Sequence, residues 1–104
     1  MTSGYVLSPE SRQDIFDIWC YLAVEAGVDL ADQVEGELFD DFELLTRSPG
    51  LGHKRQDLTK LPVRFYRAFP YQYMIMYREV KGGLEIIAVL HAKRNIKKIL
   101  KGRA

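Results

Sequence analysis

The sequence holds one cysteine, Cys20, and two histidines, His53 and His91. A lone thiol excludes an internal disulfide, and three scattered residues make no metal-ligand spacing. Neither a metal nor another cofactor is expected. No apolar run approaches the roughly 18–20 residues that span a bilayer, so no membrane partner is expected. The start, MTSGYVLSPES, lacks the basic and apolar segments of a signal peptide. Together with the unpaired cysteine this predicts a cytoplasmic protein. A P-loop, a dinucleotide fingerprint, a nucleophile elbow and a paired-carboxylate motif are all missing.

What is present fits one compact domain over residues 1–104, with an ordinary hydrophobic content of 47%. The net charge of +1 hides a split. Residues 1–46 carry eleven acids against Arg12 alone. Residues 47–104 carry fourteen Lys and Arg against Asp57, Glu79 and Glu85. Two readings follow: the halves attract each other across the fold, or the basic half meets an acidic partner or nucleic acid.

Tyr5 to Leu7 reads as a short first strand. Ser8-Pro9-Glu10 is a helix start: Ser caps, Pro suits the first helical position, and Glu complements the dipole. Ile15, Ile18, Trp19, Leu22 and Ala23 form an apolar stripe that ends at Ala26-Gly27. Asp29 is read as a second N-cap. Ala31, Val34, Leu38, Phe42 and Leu45 make the next stripe, stopped by Ser48-Pro49-Gly50. With two or three residues between them, the helices should form an antiparallel hairpin.

Beyond a basic loop at 49–62 the period becomes alternating. Val63 to Phe69, Gln72 to Val80 and Leu84 to His91 read as three strands. Pro70-Tyr71 and Lys81-Gly82-Gly83 are the turns between them. Asn95 can cap a last short helix carrying Ile96, Ile99 and Leu100. The order is β-α-α-β-β-β with a short C-terminal helix or tail. This predicts an α+β fold, with a helical hairpin on one face of a small antiparallel sheet.

Both faces of the last hairpin are apolar in the middle. With Gly82 and Gly83 as turn residues, Tyr73, Ile75, Tyr77 and Glu79 share a face with Leu84, Ile86, Ala88 and Leu90. The other face holds Met74, Met76, Arg78 and Val80 with Glu85, Ile87, Val89 and His91. Two helices cover only one face, so the loop before the second strand, the C-terminal segment, another copy or a partner must cover the other. The methionine face, free of ring hydroxyls, is expected under the helices. The Tyr73/Tyr77 face is expected to be left for a partner.

His91 ends its strand, either as an acid/base group or as a residue satisfied by backbone. Arg64, Arg67, Arg78, Lys93 and Arg94 come from strand ends and converge on an anion or form a solvated rim. His53, Lys54 and Arg55 are read as loop surface, and Cys20 as a structural thiol.

Several stretches together resemble one family. They are YVLSPESRQDIFDIWCYL, the loop GHKRQDL, VRFYRAFPYQYMIMYR, and LEIIAVLHAKRNI. Over nearly its whole length the chain resembles the RelE/ParE superfamily of type II toxin–antitoxin toxins. The likeness is greater to its ParE branch, also described as plasmid-stabilisation proteins. Asn95 stands where that family commonly has Asp, and Ala88 where many members have Arg. The resemblance implies the fold already derived and a cytoplasmic toxin in a hetero-oligomer with a cognate antitoxin, whose segment would supply the missing cover.

The two branches differ in target. ParE-like toxins are associated with DNA gyrase inhibition, and RelE-like toxins cleave mRNA on the ribosome. RelE-type chemistry implies Arg/Lys residues of the sheet and a Tyr or His near the C-terminus. Residues 92–104 contain neither. The expectation is a gyrase inhibitor without a catalytic residue and without direct nucleic-acid contact. Arg64, Arg67, Tyr73, Tyr77, Lys93 and Arg94 are the expected partner-binding residues. The alternative is a ribosome-dependent endoribonuclease using Arg64, Arg78 and His91.

Overall fold

The N–H of Ser11 donates to the Ser8 hydroxyl at 3.0 Å, and Pro9 takes the first helical position. That capped start opens a chain of eight elements in the computed structural model, which describes residues 4–103. They are β1 (Tyr5–Leu7), α1 (Pro9–Ala26), α2 (Val28–Arg47), a 3₁₀ turn (Pro49–Leu51), β2 (Arg64–Ala68), β3 (Tyr73–Val80), β4 (Gly83–His91) and α3 (Ile96–Leu100). The sheet order is β1-β4-β3-β2. β2, β3 and β4 form the expected antiparallel meander, and β1 joins β4 in parallel, so the sheet is mixed.

The helical hairpin is tighter than expected. One residue, Gly27 at φ 102°, both ends α1 and precedes α2, and its N–H returns to the carbonyls of Leu22 and Ala23. Asp29 therefore lies in the first turn of α2 and does not cap it. The α2 stripe behaves as read: Ala31, Val34, Leu38, Phe42 and Leu45 are all buried. Each of its large side chains contributes about 1.5–3 kcal/mol of burial. Helix α1 is shallower. Only Ser11, Asp14 and Ile15 are buried, while Ile18, Trp19, Leu22 and Ala23 are half-buried.

The register of the β3–β4 hairpin corrects the expected faces in two steps. Val80 pairs with Gly83, so the turn residues are Lys81 and Gly82 rather than Gly82 and Gly83. A side chain is not tolerated at Gly83, where φ is 157° and a Cβ would collide with the Gly4 carbonyl. The slip is by two residues and keeps the parity, so Tyr77 and Glu79 still lie beside Ile86 and Leu84. Then a bulge intervenes between Met76 and Tyr77: Tyr77 pairs with Ile86 but Met76 pairs with Ala88, leaving Ile87 extra. Beyond it every β4 residue changes face. Val89 and His91 join Ile75 and Tyr73, and Ala88 and Leu90 join the methionines.

The helices cover the opposite face from the one expected. Tyr73, Ile75, Tyr77, Leu84, Ile86 and Val89 pack with Val34, Leu38, Phe42 and Leu45. The expectation assumed that buried ring hydroxyls would go unsatisfied. Instead the Tyr77 hydroxyl donates to the Pro49 carbonyl at 2.6 Å and accepts from the Gly52 N–H at 2.8 Å. Gly52 is required there, since a Cβ would meet the Tyr77 ring.

The methionine face is not left for a partner either. Val63, Phe65, Met76, Ala88 and Leu90 pack with Ile96 and Leu100 of α3, and Leu58 lies against them. Asn95 caps α3 as read, accepting from the Lys98 N–H at 3.1 Å. Of the open alternatives, the loop before β2 and the C-terminal segment supply the cover. No helix among the described residues is long and apolar enough to cross a membrane.

Candidate functional site

The shallow seating of α1 leaves a groove of about 550 Å³ between its middle, the start of α2 and the ends of β3 and β4. Its apolar wall comes from Ile18 and Leu22 of α1, Leu30 and Val34 of α2, and Val89 of β4. Its polar rim holds Asp14, Asp17, Tyr21, Tyr71, His91 and Arg94. Tyr21 is 63% exposed, and beyond it the outer side of α1 carries Phe16 and Val24 in the open.

Asp14 anchors this groove to the sheet. β1 ends at Leu7, so strand pairing along the outer edge of β4 stops at Ile86, and the Ser8 hydroxyl reaches on to the Ile87 carbonyl at 3.1 Å. The bulge turns the Val89 N–H towards that edge, and the Asp14 carboxylate accepts it at 3.0 Å. Arg103 then closes on the same carboxylate through two bonds, at 2.5 and 2.8 Å. Hydrogen bonding to Asp14 raises the Arg103 pKa above its ordinary value, despite the opposing effect of burial. The pair ties the C-terminus to α1 across the sheet edge, and it joins the acidic half to the basic half. Arg55–Asp57 and Arg78–Glu85, the other ion pairs of the described residues, lie within the basic half.

At Tyr71 and Tyr73 of the groove the protonated form is favoured. Tyr71 donates to Glu37 at 2.7 Å, which raises its pKa together with partial desolvation, and Gln33 donates to the same hydroxyl. Burial, then the neighbouring Tyr21, raises that of Tyr73. These phenols serve as hydrogen-bond groups on an otherwise apolar surface, an arrangement suited to a binding surface.

The expected site residues scatter over the molecule. Tyr73 lines the groove with Arg94. Tyr77 is fully buried under the helices, a correction to its expected partner role that follows from its satisfied hydroxyl. Arg64 donates to the Gly52 carbonyl at 2.9 Å, beside the Tyr77 hydroxyl. Arg67 lies on the opposite face with Met74. Lys93 is exposed, and its N–H donates to His91 Nδ1 at 3.1 Å.

His91 accordingly sits on the Tyr73 side of the sheet, not with the methionines as expected, and its ring meets the Tyr73 ring edge-on at 5.6 Å. Arg78 pairs with Glu85 at 2.7 Å. Arg64 is opposite Tyr77, and His91 is opposite Tyr73, so the two lie about four residues, roughly 13 Å, apart along β3. Arg64, Arg78 and His91 do not converge. Among the described residues no group of three or more His, Cys, Asp or Glu side chains is placed to hold a metal ion.

Sequence reasoning missed Asp14 and Arg103. One signal was present: Asp14 and Ser11 fall on the same helical side as Ile15, Ile18 and Leu22, so a carboxylate stood within the buried stripe.

Residues 5–96 match the family model of the ParE toxin of the type II toxin–antitoxin system parDE. Toxin ParE1 of Caulobacter vibrioides is 32% identical over 91 residues, covering 88% of this chain and 91% of that protein. A chain from the chromosomal ParDE toxin–antitoxin system of P. aeruginosa superposes with a TM-score of 0.71, covering 88% of this chain and 100% of that one. At 15% identity, that last likeness is one of fold.

Proposed function

This chain belongs to the ParE toxin family of type II toxin–antitoxin systems, and from that premise we propose that it acts by binding and inhibiting DNA gyrase in the cytoplasm, as a module that stabilises plasmids or their chromosomal equivalents. A cognate antitoxin neutralises it by forming a hetero-oligomer. The observation that carries a binding mode over nuclease chemistry is the separation of Arg64, Arg78 and His91. Each already engages a neighbour, and among the described residues no second acid or base is hydrogen-bonded to His91.

The α1–sheet groove is the surface we assign to the antitoxin. An amphipathic segment would set apolar side chains against Ile18, Leu22 and Tyr73 and an acidic group near Arg94. Among the expected partner residues, Tyr73 and Arg94 belong to that contact. Arg64, Arg67 and Lys93 lie outside it.

Expression without an antitoxin should arrest growth and produce DNA damage, while mapped mRNA ends stay unchanged. New codon-positioned mRNA cleavage would instead establish the endoribonuclease reading. Growth without arrest or damage would sink both. Replacing Tyr21 with Arg should weaken antitoxin rescue about tenfold, as expected for an aromatic anchor in a groove.

A further inference from the structure

We propose that the cavity between β2, β3 and the start of α3 binds a phosphate group, with a nucleotide base set against Phe69. The inference holds whatever the toxin's protein target, and it concerns the sheet face opposite the groove. The cavity has a volume of about 300 Å³, the lower end of the range of about 300–1,000 Å³ for small-ligand sites. Its charged lining is of one sign: Arg55, Arg67, Arg94 and Lys97. Asp57, the acid beside this cluster, already takes two hydrogen bonds from the Arg55 guanidinium at 2.9 and 2.8 Å.

Arg67 carries the argument. Its Nε is buried and, among the described residues, is the buried side-chain nitrogen or oxygen left without a hydrogen-bond partner. A buried donor of a charged group is costly to leave unmet, so the Arg67 guanidinium, which borders the cavity, is short of acceptors. The Arg67 guanidinium lies 5.3 Å from the centre of the Phe69 ring. Phe69 is itself 74% exposed, which leaves ring surface for a planar base.

Arg67, Arg94 and Lys97 together exceed what one carboxylate neutralises. They match a phosphate dianion, whose oxygens accept from several donors at once. The exposed aromatic ring adds a stacking surface that an acidic side chain would not use. The assignment gives the basic half a nucleotide role that the sequence expectation of no nucleic-acid contact left out.

The test is calorimetric titration of the folded full chain, with backbone amide shifts followed in parallel. The probes are adenosine 5′-monophosphate, inorganic phosphate and a hexaglutamate peptide. Saturable nucleotide binding is expected, with shifts at residues 67–69 and 94–97. Arg67→Gln and Lys97→Gln should each weaken it by about tenfold. Lys97 is exposed, so its variant reports on the site even if Arg67→Gln does not fold. Arg94 also borders the groove and is left intact for that reason. Phe69→Ala should weaken nucleotide binding about threefold and leave inorganic phosphate unaffected. Arg64→Gln, at the Gly52 carbonyl, should change nothing.

Absence of saturable binding by both phosphate probes, or undiminished binding in both cation variants, would overturn the site. Preferential binding of hexaglutamate would also overturn it and assign the cavity to an acidic protein partner. Equal binding of phosphate and nucleotide, indifferent to Phe69→Ala, would overturn the nucleotide part and leave free phosphate as the ligand.

Discussion

One face of the sheet lies under α1 and α2, helices of 18 and 20 residues. The other lies under α3, five residues long, and the loop that leads to β2. Both faces are apolar, but they are closed by different means. The helical face is sealed by a long amphipathic stripe and satisfied hydroxyls, and the groove is left where α1 stands off. The α3 face is sealed by Val63, Phe65, Ile96 and Leu100, with a rim of cations around it. The difference teaches that the two halves of the charge split stay largely apart in space. The acidic helices back one face, the basic strands and tail frame the other, and Asp14–Arg103 joins them.

The largest test of that contrast is Phe42→Ala. Phe42 is fully buried and stacks edge-on with Tyr5 and Phe39. Its loss should cost about 4 kcal/mol in urea denaturation, as for other buried Phe truncations. Arg103→Ala comes next. It leaves the buried Asp14 carboxylate with only the Val89 N–H among its described bonds, and should cost about 3 kcal/mol. A cost near zero would mean that the tail is not fastened to α1.

Leu100→Ala truncates the smaller cover and should cost about 2 kcal/mol. If it proved more damaging than Phe42→Ala, the ranking of the two faces would be reversed. Hydrogen exchange on α3 should rise in this variant before that on α2.

The smallest effect is on charge. Burial, then Glu37 and Asp40, raise the Asp41 pKa from 3.8 to about 6. A carboxyl whose folded pKa exceeds its unfolded one favours folding fully below about pH 4. That contribution is lost as pH rises to about 6, where the native state must carry the charge. Asp41→Asn should therefore raise stability at pH 7 relative to pH 4. The gain is on the order of 1 kcal/mol, because Asp41 is partly exposed and solvent screens its charge. An equal effect at both pH values would point away from ionisation.

Much of this was legible in residue patterns. The Ser8-Pro9 start, the α2 stripe, the three alternating strands and the Asn95 cap each follow from local chemistry. What was not legible depends on events beyond any local pattern. The bulge at Ile87 has no marking residue, yet it moves Val89 and His91 to the helical face. Tyr77 looked like a surface residue until Pro49 and Gly52 supplied partners for its hydroxyl. The cations were visible, but their grouping was not. Arg64 and Arg78 found partners elsewhere, while Arg67 and Arg94 met Arg55 and Lys97 from the loop and α3.

The measurement that bears most directly on the account is gyrase supercoiling of relaxed plasmid DNA with the purified, folded chain added in increasing amounts. Loss of supercoiling is expected at near-stoichiometric chain, with activity retained when the cognate antitoxin is added first. Unimpaired supercoiling at a large excess of folded protein would contradict it.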